Sequence, residues 1–294
     1  MRNLNEQNMT QAVLATLENY EDLRLKQVMT AFIGHLHDFI RDLEPTEEEW
    51  FKAIQFLLDT AGMCDDKRNE FILLSDTLGA TILVDAINHR KSEGATETSV
   101  LGPFYVEGAP EYPNGADMRG EITEGVQGES VVVLGKVTDA QGKPLAGAML
   151  DIWETAPDGF YHVQKPGEVP EFNLCGKIRT DDDGVYQFCT YKPVAYPIPS
   201  DGPVGKLLRS MGRHFYRPAH IHVIVSNEGY EPVVTQLFTE GDDYLESDAV
   251  FGVKDSLVVD YLRTEGGSLA EQYDMVGQFW TVDYDFVLEK VKTA

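Results

Sequence analysis

The first part of the chain carries apolar residues at helical spacing. Within residues 20–43 they recur every three or four positions, which places them on one face of a helix. Thr46 and Glu49 then form the pattern of a capping box, which predicts a second helix that continues through Leu58. A third periodic stretch over residues 67–89 predicts a third helix.

From Gly102 onward the chain changes to short β-branched or alternating runs separated by Gly, Pro and Asp, which is typical of antiparallel strands joined by turns. The candidate strands are SVVVLGKV, AMLDIWE, VYQFCTY, AHIHVIVS, VVTQLFT, SLVVDYL and FWTVDYDFVL. No helical pattern of comparable length separates them, which favours a β-sandwich over a parallel α/β sheet. The sequence therefore predicts an α+β protein, with a helical domain at 1–100 followed by an antiparallel β-sandwich at 101–294.

Charge and composition restrict the class of protein. The 294 residues include 49 acidic and 24 basic side chains, a formal net charge of −25. Phosphate binding needs clustered cations, so this excess argues against a nucleic-acid partner. Cys64, Cys175 and Cys189 match no zinc or redox spacing, and an odd count is a poor basis for a disulfide framework. No apolar run approaches the roughly 20 residues of a membrane span, so we expect a soluble cytoplasmic protein.

Two histidines in the strand AHIHVIVS are candidate metal ligands. His220 and His222 are two residues apart, so both imidazoles project to one face while Ile221 points to the other. An H-x-H pair can simply be two polar residues on a solvated face. The strand continues into the apolar residues 223–225, however, and a buried histidine pair without partners would be costly. This context favours metal binding.

The remaining ligands of such a site have to come from elsewhere, because no Cys or acidic cluster stands nearby in the pattern of a known site. Tyr161 closes the turn PDGFY, and Tyr196 lies in the proline-rich segment KPVAYPIP. For either residue the alternative is ordinary packing with the hydroxyl bonded to backbone, as expected for most of the 13 tyrosines. Spacing alone does not select these two.

Taken together, DGFY, YPIP, GRHFYRPAHIH and the glutamine in VVTQLF resemble the intradiol ring-cleaving dioxygenases, non-haem iron(III) enzymes that open catechols between their two hydroxylated carbons. The resemblance runs from Leu101 to the glycine-rich turn after Leu262, and the helical N-terminal segment also fits. It implies a homodimer formed by the N-terminal helices about a lipid-binding tunnel. It also implies one Fe(3+) per subunit with the ligands Tyr161, Tyr196, His220 and His222, and the further active-site residues Arg217 and Gln236.

The chemistry of these residue types agrees with iron(III). A phenolate is a hard, strongly donating anion, which suits a trivalent cation better than the softer divalent ions. As the resemblance implies, the catechol passes its protons to Tyr196 and to a bound hydroxide, and dioxygen then reacts with the chelated ring. Arg217, a permanent cation, is expected to stabilise the charge that develops on the ring. The alternative for Arg217 is a surface salt bridge, which Pro218 disfavours by linking it rigidly to the ligand strand.

Three segments, FILLSDTLG, VLGP and YPIP, resemble the hydroxyquinol 1,2-dioxygenase branch of the family. Asp76 would accept a hydrogen bond from the third hydroxyl of that substrate; otherwise it is a carboxylate on a helix surface. The branch usually carries phenylalanine where Leu101 stands, a departure that would widen the pocket. The resemblance implies a substrate pocket of Leu73, Asp76, Val100, Leu101, Gly102, Pro103, Pro197, Ile198, Pro199 and Val250.

The implied reaction opens hydroxyquinol (benzene-1,2,4-triol) between its 1,2-hydroxyls with O2 and gives 3-hydroxy-cis,cis-muconate or its tautomer maleylacetate. One alternative is a catechol or chlorocatechol 1,2-dioxygenase, which has the same iron chemistry but an apolar pocket with no need for Asp76. The other is a non-catalytic transthyretin-like sandwich module, because DAQGKPLAGAMLDIW and RTDDDGVYQF recur in such modules. Tyrosinate-to-iron(III) charge transfer would colour the enzyme red-brown, whereas a binding module would be colourless.

Overall fold

The structure, a computed structural model, describes residues 2–65 and 68–291. The chain forms two compact units, Met1–Asp59 and Thr60–Ala294. Within the described ranges, none of the helices combines the length and the apolar content that crossing a bilayer requires.

The first unit is built from helices. They are α1 (Met9–Ala15), α2 (Leu23–Leu43) and most of α3 (Glu47–Gly62). The capping box at the start of α3 is confirmed, because Thr46 Oγ1 accepts a hydrogen bond from Glu49 N at 3.3 Å and Glu49 Oε2 accepts one from Thr46 N at 2.8 Å. Helix α3 runs beyond the predicted end at Leu58, and α1 was not predicted.

The third predicted helix is wrong as a single element, since the chain forms two helices there, α4 (Glu70–Thr77) and α5 (Ala80–Asn88). The break lies at Gly79, whose φ of 73° is in the left-handed region that glycine adopts without strain. The side chain of Asn69 caps α4 by accepting a hydrogen bond from Ile72 N at 3.1 Å. The predicted start at Lys67 lies outside the described residues. Two short helices, α6 (Pro203–Ser210) and α7 (Gly267–Gln272), occur later in the chain.

The second unit contains three sheets. A six-stranded sheet has the order β1-β5-β2-β12-β11, with β13 also paired to β2; a five-stranded sheet has the order β10-β9-β8-β3-β4; and β6 pairs with β7. The strands are β1 (Ala116–Asp117), β2 (Ser130–Asp139), β3 (Met149–Trp153), β4 (Cys175–Arg179), β5 (Val185–Tyr191), β6 (Tyr196–Pro197), β7 (Tyr216–Arg217), β8 (His220–Ser226), β9 (Val233–Thr239), β10 (Val258–Val259), β11 (Leu262–Glu265), β12 (Gln278–Asp283) and β13 (Phe286–Leu288).

The main core lies between the two large sheets and confirms the predicted sandwich. Val131 and Val133 of β2 meet Ile152 of β3 and Ile221 and Val223 of β8 in one buried cluster. Each such side chain contributes about 1.5 to 3 kcal/mol when it is fully buried. The α+β class is therefore confirmed. Packing in this core also holds β8, the strand that carries both His220 and His222, in place.

The strand pairing is only partly antiparallel, contrary to the prediction. β8 is antiparallel to both β3 and β9, and β2 is antiparallel to β5. However, β12 and β13 run parallel to β2, and β10 runs parallel to β9. A parallel pair needs a long connection between its strands, and local periodicity carries no information about such partners. The runs SLVVDYL and FWTVDYDFVL each divide into two strands, and β4 was not predicted.

The predicted boundary at residue 100 lies in the segment between α5, which ends at Asn88, and β1, which begins at Ala116. The compact units divide instead between Asp59 and Thr60. Helices α4 and α5 therefore belong to the same unit as the sandwich, and α4 can supply residues to a site there.

Candidate active site

Strand β8 brings His220 and His222 to one face of the five-stranded sheet. Both side chains are buried, and their Nε2 atoms lie 3.1 Å apart. The ring of Trp153, which pairs with His222 across β3 and β8, stacks on the His222 ring with centroids 4.5 Å apart. His220 Nδ1 donates a hydrogen bond to Pro218 O at 2.7 Å. Its Nε2 atom therefore carries the free lone pair of the ring.

Two tyrosines complete a cluster of four donor atoms. Tyr161 follows a turn in which Gly159 has a φ of 81°, and Tyr196 on β6 pairs with β7. The Tyr161 hydroxyl lies 3.3 Å from the Tyr196 hydroxyl and 3.1 Å from His222 Nε2. Both tyrosines are buried. The structure thus brings together all four residues that the sequence singled out as ligands.

Burial controls the protonation of this cluster. It lowers the pKa of His220 to about 3, and the charge of Arg217 acts in the same direction. The pKa of His222 is lowered well below its usual value by burial, by His220 and by Arg217. Burial and the neighbouring Tyr196 raise the pKa of Tyr161 well above its usual value. At neutral pH both imidazoles are therefore uncharged and can donate a lone pair to a metal ion. A nearby cation is needed to make Tyr161 a phenolate.

The guanidinium of Arg217 lies beside the cluster, 3.2 Å from His220 Nε2. Its Nε and Nη2 atoms donate to the carboxylate of Asp248 at 3.0 and 3.1 Å, and Nη2 also donates to Gln236 Oε1 at 2.7 Å. Burial opposes both charges, but the ion pair raises the pKa of Arg217 and lowers that of Asp248. Arg217 is thus a fixed buried cation rather than part of a surface salt bridge.

Gln236 and Asp248 hold this arrangement in place. Gln236 Nε2 donates to Val100 O at 2.6 Å, and it lies 3.3 Å from His222 Nδ1. Asp248 also accepts from Gly252 N at 2.9 Å. The sequence reasoning missed Asp248, since it stands in a loop with several other acidic residues and no spacing distinguishes it.

The same unit contains a cavity of about 690 Å³. Leu73, Asp76, Pro103 and Pro199 of the predicted pocket line it. Phe104 also lines it, and the Phe104 ring stacks on Tyr161 with centroids 4.7 Å apart. The cavity wall is therefore in contact with one of the four donor residues.

Asp76 is not a surface carboxylate, because only 6% of the residue is exposed. Its Oδ1 atom has no hydrogen-bond partner in the part of the chain that the structure describes. Burial raises the pKa of Asp76, while Thr81 and Arg217 act in the opposite direction. A buried carboxylate oxygen without a partner at a cavity wall is a site for a hydrogen-bond donor from a ligand.

The other predicted pocket residues fall into two groups. Val100, Ile198 and Val250 pack with Leu73 in a small buried cluster, and a Cβ atom on Gly102 would lie 3.3 Å from the His222 ring. Leu101 is 41% exposed and Pro197 is also exposed, and neither is among the residues that line the cavity.

The donor set fits a metal ion. Across residues 2–65 and 68–291, no group of three or more His, Cys, Asp or Glu side chains is arranged to hold one. A metal ion at the histidine pair would need further ligands of another type, and the two phenol oxygens are the nearest oxygen donors described above. The donor separations of 3.1 to 3.3 Å match ligand atoms that share a metal, since such atoms each lie roughly 2.0 to 2.1 Å from it.

Comparison with known proteins defines the class. The family described as "Dioxygenase" matches residues 100–290, and "Catechol dioxygenase N terminus" matches residues 22–96. Together with the buried histidines and tyrosines, these matches define a ring-cleaving dioxygenase. The chain belongs to the intradiol dioxygenase family and is an enzyme of that family. The transthyretin-like binding module is thereby set aside.

Individual relatives agree in length and fold. The chain is 49% identical over 286 residues to the hydroxyquinol 1,2-dioxygenase of Rhizobium sp. (strain MTP-10005), covering 97% of this chain and 96% of that one. It is 47% identical over 289 residues to the 6-chlorohydroxyquinol 1,2-dioxygenase of Cupriavidus pinatubonensis, covering 98% and 99%. The solved hydroxyquinol 1,2-dioxygenase from Pseudomonas putida DLL-E4 is similar with a TM-score of 0.90, 45% identity and coverage of 97% and 99%.

Proposed function

We propose that this protein is a hydroxyquinol 1,2-dioxygenase that opens benzene-1,2,4-triol between its 1,2-hydroxyls with O2 and forms 3-hydroxy-cis,cis-muconate or maleylacetate. The observation that carries this proposal is the convergence of four buried donor atoms, together with a cavity whose wall includes Asp76, a carboxylate with one buried oxygen that has no hydrogen-bond partner among the described residues. The similar hydroxyquinol enzymes from Rhizobium and Pseudomonas support the same substrate.

The cofactor in this proposal is one iron(III) per subunit, held by Tyr161, Tyr196, His220 and His222. Two phenol oxygens favour a hard trivalent cation over zinc or copper. When bound, iron(III) would draw electron density from a chelated diol, so that a ring carbon becomes reactive toward dioxygen without an external reductant. Both oxygen atoms of O2 enter the product.

Tyr196 is the residue that we expect to accept a proton from the substrate. It lies on the two-residue strand β6, whereas Tyr161 is fixed by stacking on Phe104 and by a hydrogen bond from its backbone N to Gln164 Oε1 at 2.9 Å. This difference supports distinct roles, in which Tyr161 stays in place and Tyr196 moves a proton from the incoming diol.

Arg217 stabilises the negative charge that develops on the ring. Asp248 and Gln236 hold its guanidinium at 2.7 to 3.1 Å, so the cation needs no rearrangement when the substrate reacts. A preorganised buried charge stabilises a transition state more than a mobile charge in water does. Gln236 acts as a positioning residue through this contact.

The N-terminal helices are proposed to form a homodimer, with phospholipid bound between them. Their large exposed apolar side chains support a buried partner surface, and Phe51 alone is 68% exposed.

We also propose a cytoplasmic location. Cys64, Cys175 and Cys189 are all free thiols, as expected in a reducing compartment.

We expect Asp76 to make the enzyme prefer hydroxyquinol to catechol. Replacing Asp76 therefore tests the assignment of hydroxyquinol as the substrate. Asp76→Ala should weaken hydroxyquinol selectively, because only that substrate loses a charge-assisted hydrogen bond worth roughly 1.5 to 3 kcal/mol. We expect the ratio of kcat/KM for hydroxyquinol to that for catechol to fall by about one to two orders of magnitude. Steady-state kinetics on iron-replete protein measure this ratio.

Asp42→Ala is the matched control, since Asp42 is an exposed aspartate of helix α2. This variant should leave the ratio unchanged. An equal loss of both activities in Asp76→Ala would mean that Asp76 supports the fold, and the substrate assignment would then rest on the similarity to other hydroxyquinol enzymes alone.

A further inference from the structure

We propose that Arg213 is a positioning residue for substrate selection, because its guanidinium joins the helix that carries Asp76 to the loop that carries Asp248. This inference rests on the proposed function and deepens it, since it assigns part of the preference for hydroxyquinol to a side chain that acts through Asp76.

The guanidinium of Arg213 bridges two segments that are distant in the chain. Its Nη1 atom donates a hydrogen bond to Thr77 O at 2.5 Å, and its Nη2 atom donates one to Ala249 O at 3.0 Å. Thr77 is the last residue of α4, whereas Ala249 lies between β9 and β10. Because a guanidinium is planar and rigid, its two donors restrict the separation of the two carbonyl groups. One side chain therefore sets the distance between the end of α4 and this loop.

Helix α4 needs a partner at this end. It has only 8 residues, and its last turn contains no basic side chain. The last carbonyl groups of a helix have no partner within the helix, and the negative end of the helix dipole favours a nearby cation. Arg213 supplies both the donor and the charge at the residue that follows Asp76. A helix this short is marginal on its own, so contacts of this kind decide where Asp76 stands.

The loop 248–252 is the fixed side of the bridge. The carboxylate of Asp248 pairs with Arg217 beside the donor cluster. The same carboxylate accepts hydrogen bonds from Val250 N at 3.2 Å and from Gly252 N at 2.9 Å. The loop is therefore tied to the buried ion pair, and the bridge connects α4 to both.

Phe251 adds an aromatic contact to the bridge. Its φ of 60° lies in the left-handed region, which is uncommon for a residue other than glycine. The Arg213 guanidinium lies 4.7 Å from the centroid of the Phe251 ring, within the range of a cation–π interaction. A Cβ atom on Gly79 would lie 3.5 Å from the same ring, so the turn between α4 and α5 also packs against it. One cation and one ring thus hold this turn and the loop together.

Asp76 lies within electrostatic reach of the buried ion pair. Burial raises its pKa, Thr81 and the charge of Arg217 lower it, and the charge of Asp248 raises it. All four donor residues lie outside both α4 and the loop 248–252. A displacement of α4 would therefore move Asp76 while the four donors keep their places. Loss of the bridge should change the choice of substrate and leave the retention of iron unchanged.

The first test replaces Arg213 by methionine, an unbranched apolar side chain that donates no hydrogen bond. Misplacing a substrate-positioning group by about 1 Å can cost roughly a hundredfold in rate, so we expect the ratio of kcat/KM for hydroxyquinol to that for catechol to fall by about tenfold. Iron content should stay at the wild-type level. The ratio does not depend on the fraction of enzyme that is folded, so a loss of stability alone would not change it. An unchanged ratio would overturn the proposal.

A double substitution separates positioning from an independent effect. In the Asp76→Ala background the third hydroxyl has no carboxylate to meet, so Arg213→Met should change the ratio by less than about twofold. A similar fall in both backgrounds would show that Arg213 acts by another route, and the proposal would be wrong. Arg179→Met is the matched control, since the Arg179 guanidinium also donates to a backbone carbonyl, Gly147 O at 3.3 Å, but its side chain is 53% exposed. It should keep the wild-type ratio.

Hydrogen exchange measures the same bridge without turnover. Leu78 N donates to Leu74 O at 3.1 Å, and Gly79 N donates to Asp76 O at 3.0 Å. Exchange of these two amides should become about tenfold faster in Arg213→Met, while the amides of α2 stay unchanged. Equal rates in the variant and the wild type would contradict the proposal.

Arg213→Lys keeps the proposal testable if Arg213→Met does not fold. A single ammonium group cannot hold both carbonyls in a fixed geometry, so the ratio should still fall by at least about threefold. A wild-type ratio in this variant would also count against the bridge. Failure of the wild-type enzyme to open hydroxyquinol would instead overturn the proposed function, and the selectivity role of Arg213 with it.

Discussion

Alanine in place of His220 or His222 is expected to leave the purified protein without iron and without ring-cleaving activity. Each Nε2 atom is one of four donors in which His220 Nε2 lies 3.1 Å from His222 Nε2, His222 Nε2 lies 3.1 Å from the Tyr161 hydroxyl, and that hydroxyl lies 3.3 Å from the Tyr196 hydroxyl. Loss of an outer partner of a metal ligand commonly costs 10- to 100-fold in affinity, so loss of a ligand itself should cost more. Metal analysis after purification should find less than about 5% of the wild-type iron.

His214→Ala provides the matched control. His214 is only partly buried, and its Nε2 atom contacts Ser247 Oγ at 2.8 Å. This variant should keep full iron and full colour. A His220 or His222 variant that folds, as judged by circular dichroism, and still carries full iron would show that the ligand assignment is wrong.

A second prediction concerns the pH dependence of the free energy of unfolding, which we expect to depend on Glu154. Glu154 is a buried carboxyl group that lies outside the donor cluster. It follows strand β3 and is 1% exposed, and Thr190 Oγ1 donates a hydrogen bond to it. Burial raises the pKa of Glu154 to about 8, although Thr190 and the backbone of Tyr191 partly offset this. The folded protein therefore holds a proton on this carboxyl group at pH values where the unfolded chain has lost it.

The proton held on Glu154 in the folded state fixes how the free energy of unfolding changes with pH. Between about pH 4.5 and pH 8 the unfolded state binds fewer protons at Glu154, so the free energy of unfolding falls as pH rises. The slope is about 1.4 kcal/mol per pH unit, which gives a loss of roughly 5 kcal/mol across this window. Glu154→Gln removes the ionisable group but keeps an acceptor for Thr190. Its unfolding free energy should exceed that of the wild type by a margin that grows from pH 5 to pH 8.

Denaturant unfolding at several pH values measures this margin, because all other titrating groups are shared by the two proteins. Glu240→Gln, at an exposed side chain, should follow the wild-type curve at every pH. A margin that does not change between pH 5 and pH 8 would show that Glu154 is not held protonated in the folded state.

Local patterns in the sequence predicted the positions of α2 and α3 and of most of the strands, because each depends on side chains that are close along the chain. The capping box at Thr46 and the alternation around His220 are examples. The break at Gly79 was missed, since an isolated glycine within a helical pattern is usually tolerated. The parallel pairing of β12 with β2 joins segments more than a hundred residues apart, and periodicity within either strand does not encode it.

The candidate site also combines features that the sequence predicted with features that it did not. Four donor residues were selected by family resemblance, and the structure brings their atoms together. Asp248 was not found, because its importance comes from a contact with Arg217 that spans a loop and leaves no local pattern. The cavity wall at 163–170 was not predicted either, since its proline- and glycine-rich sequence reads as an ordinary loop.

The fate of dioxygen during turnover tests the central claim most directly. Iron-replete protein is incubated with hydroxyquinol under ¹⁸O₂, and the product is analysed promptly by mass spectrometry. An intradiol dioxygenase predicts a six-carbon diacid opened between the two former hydroxyl carbons and carrying two ¹⁸O atoms. A product that is unlabelled, or whose ring is opened next to the diol rather than within it, would contradict the assignment.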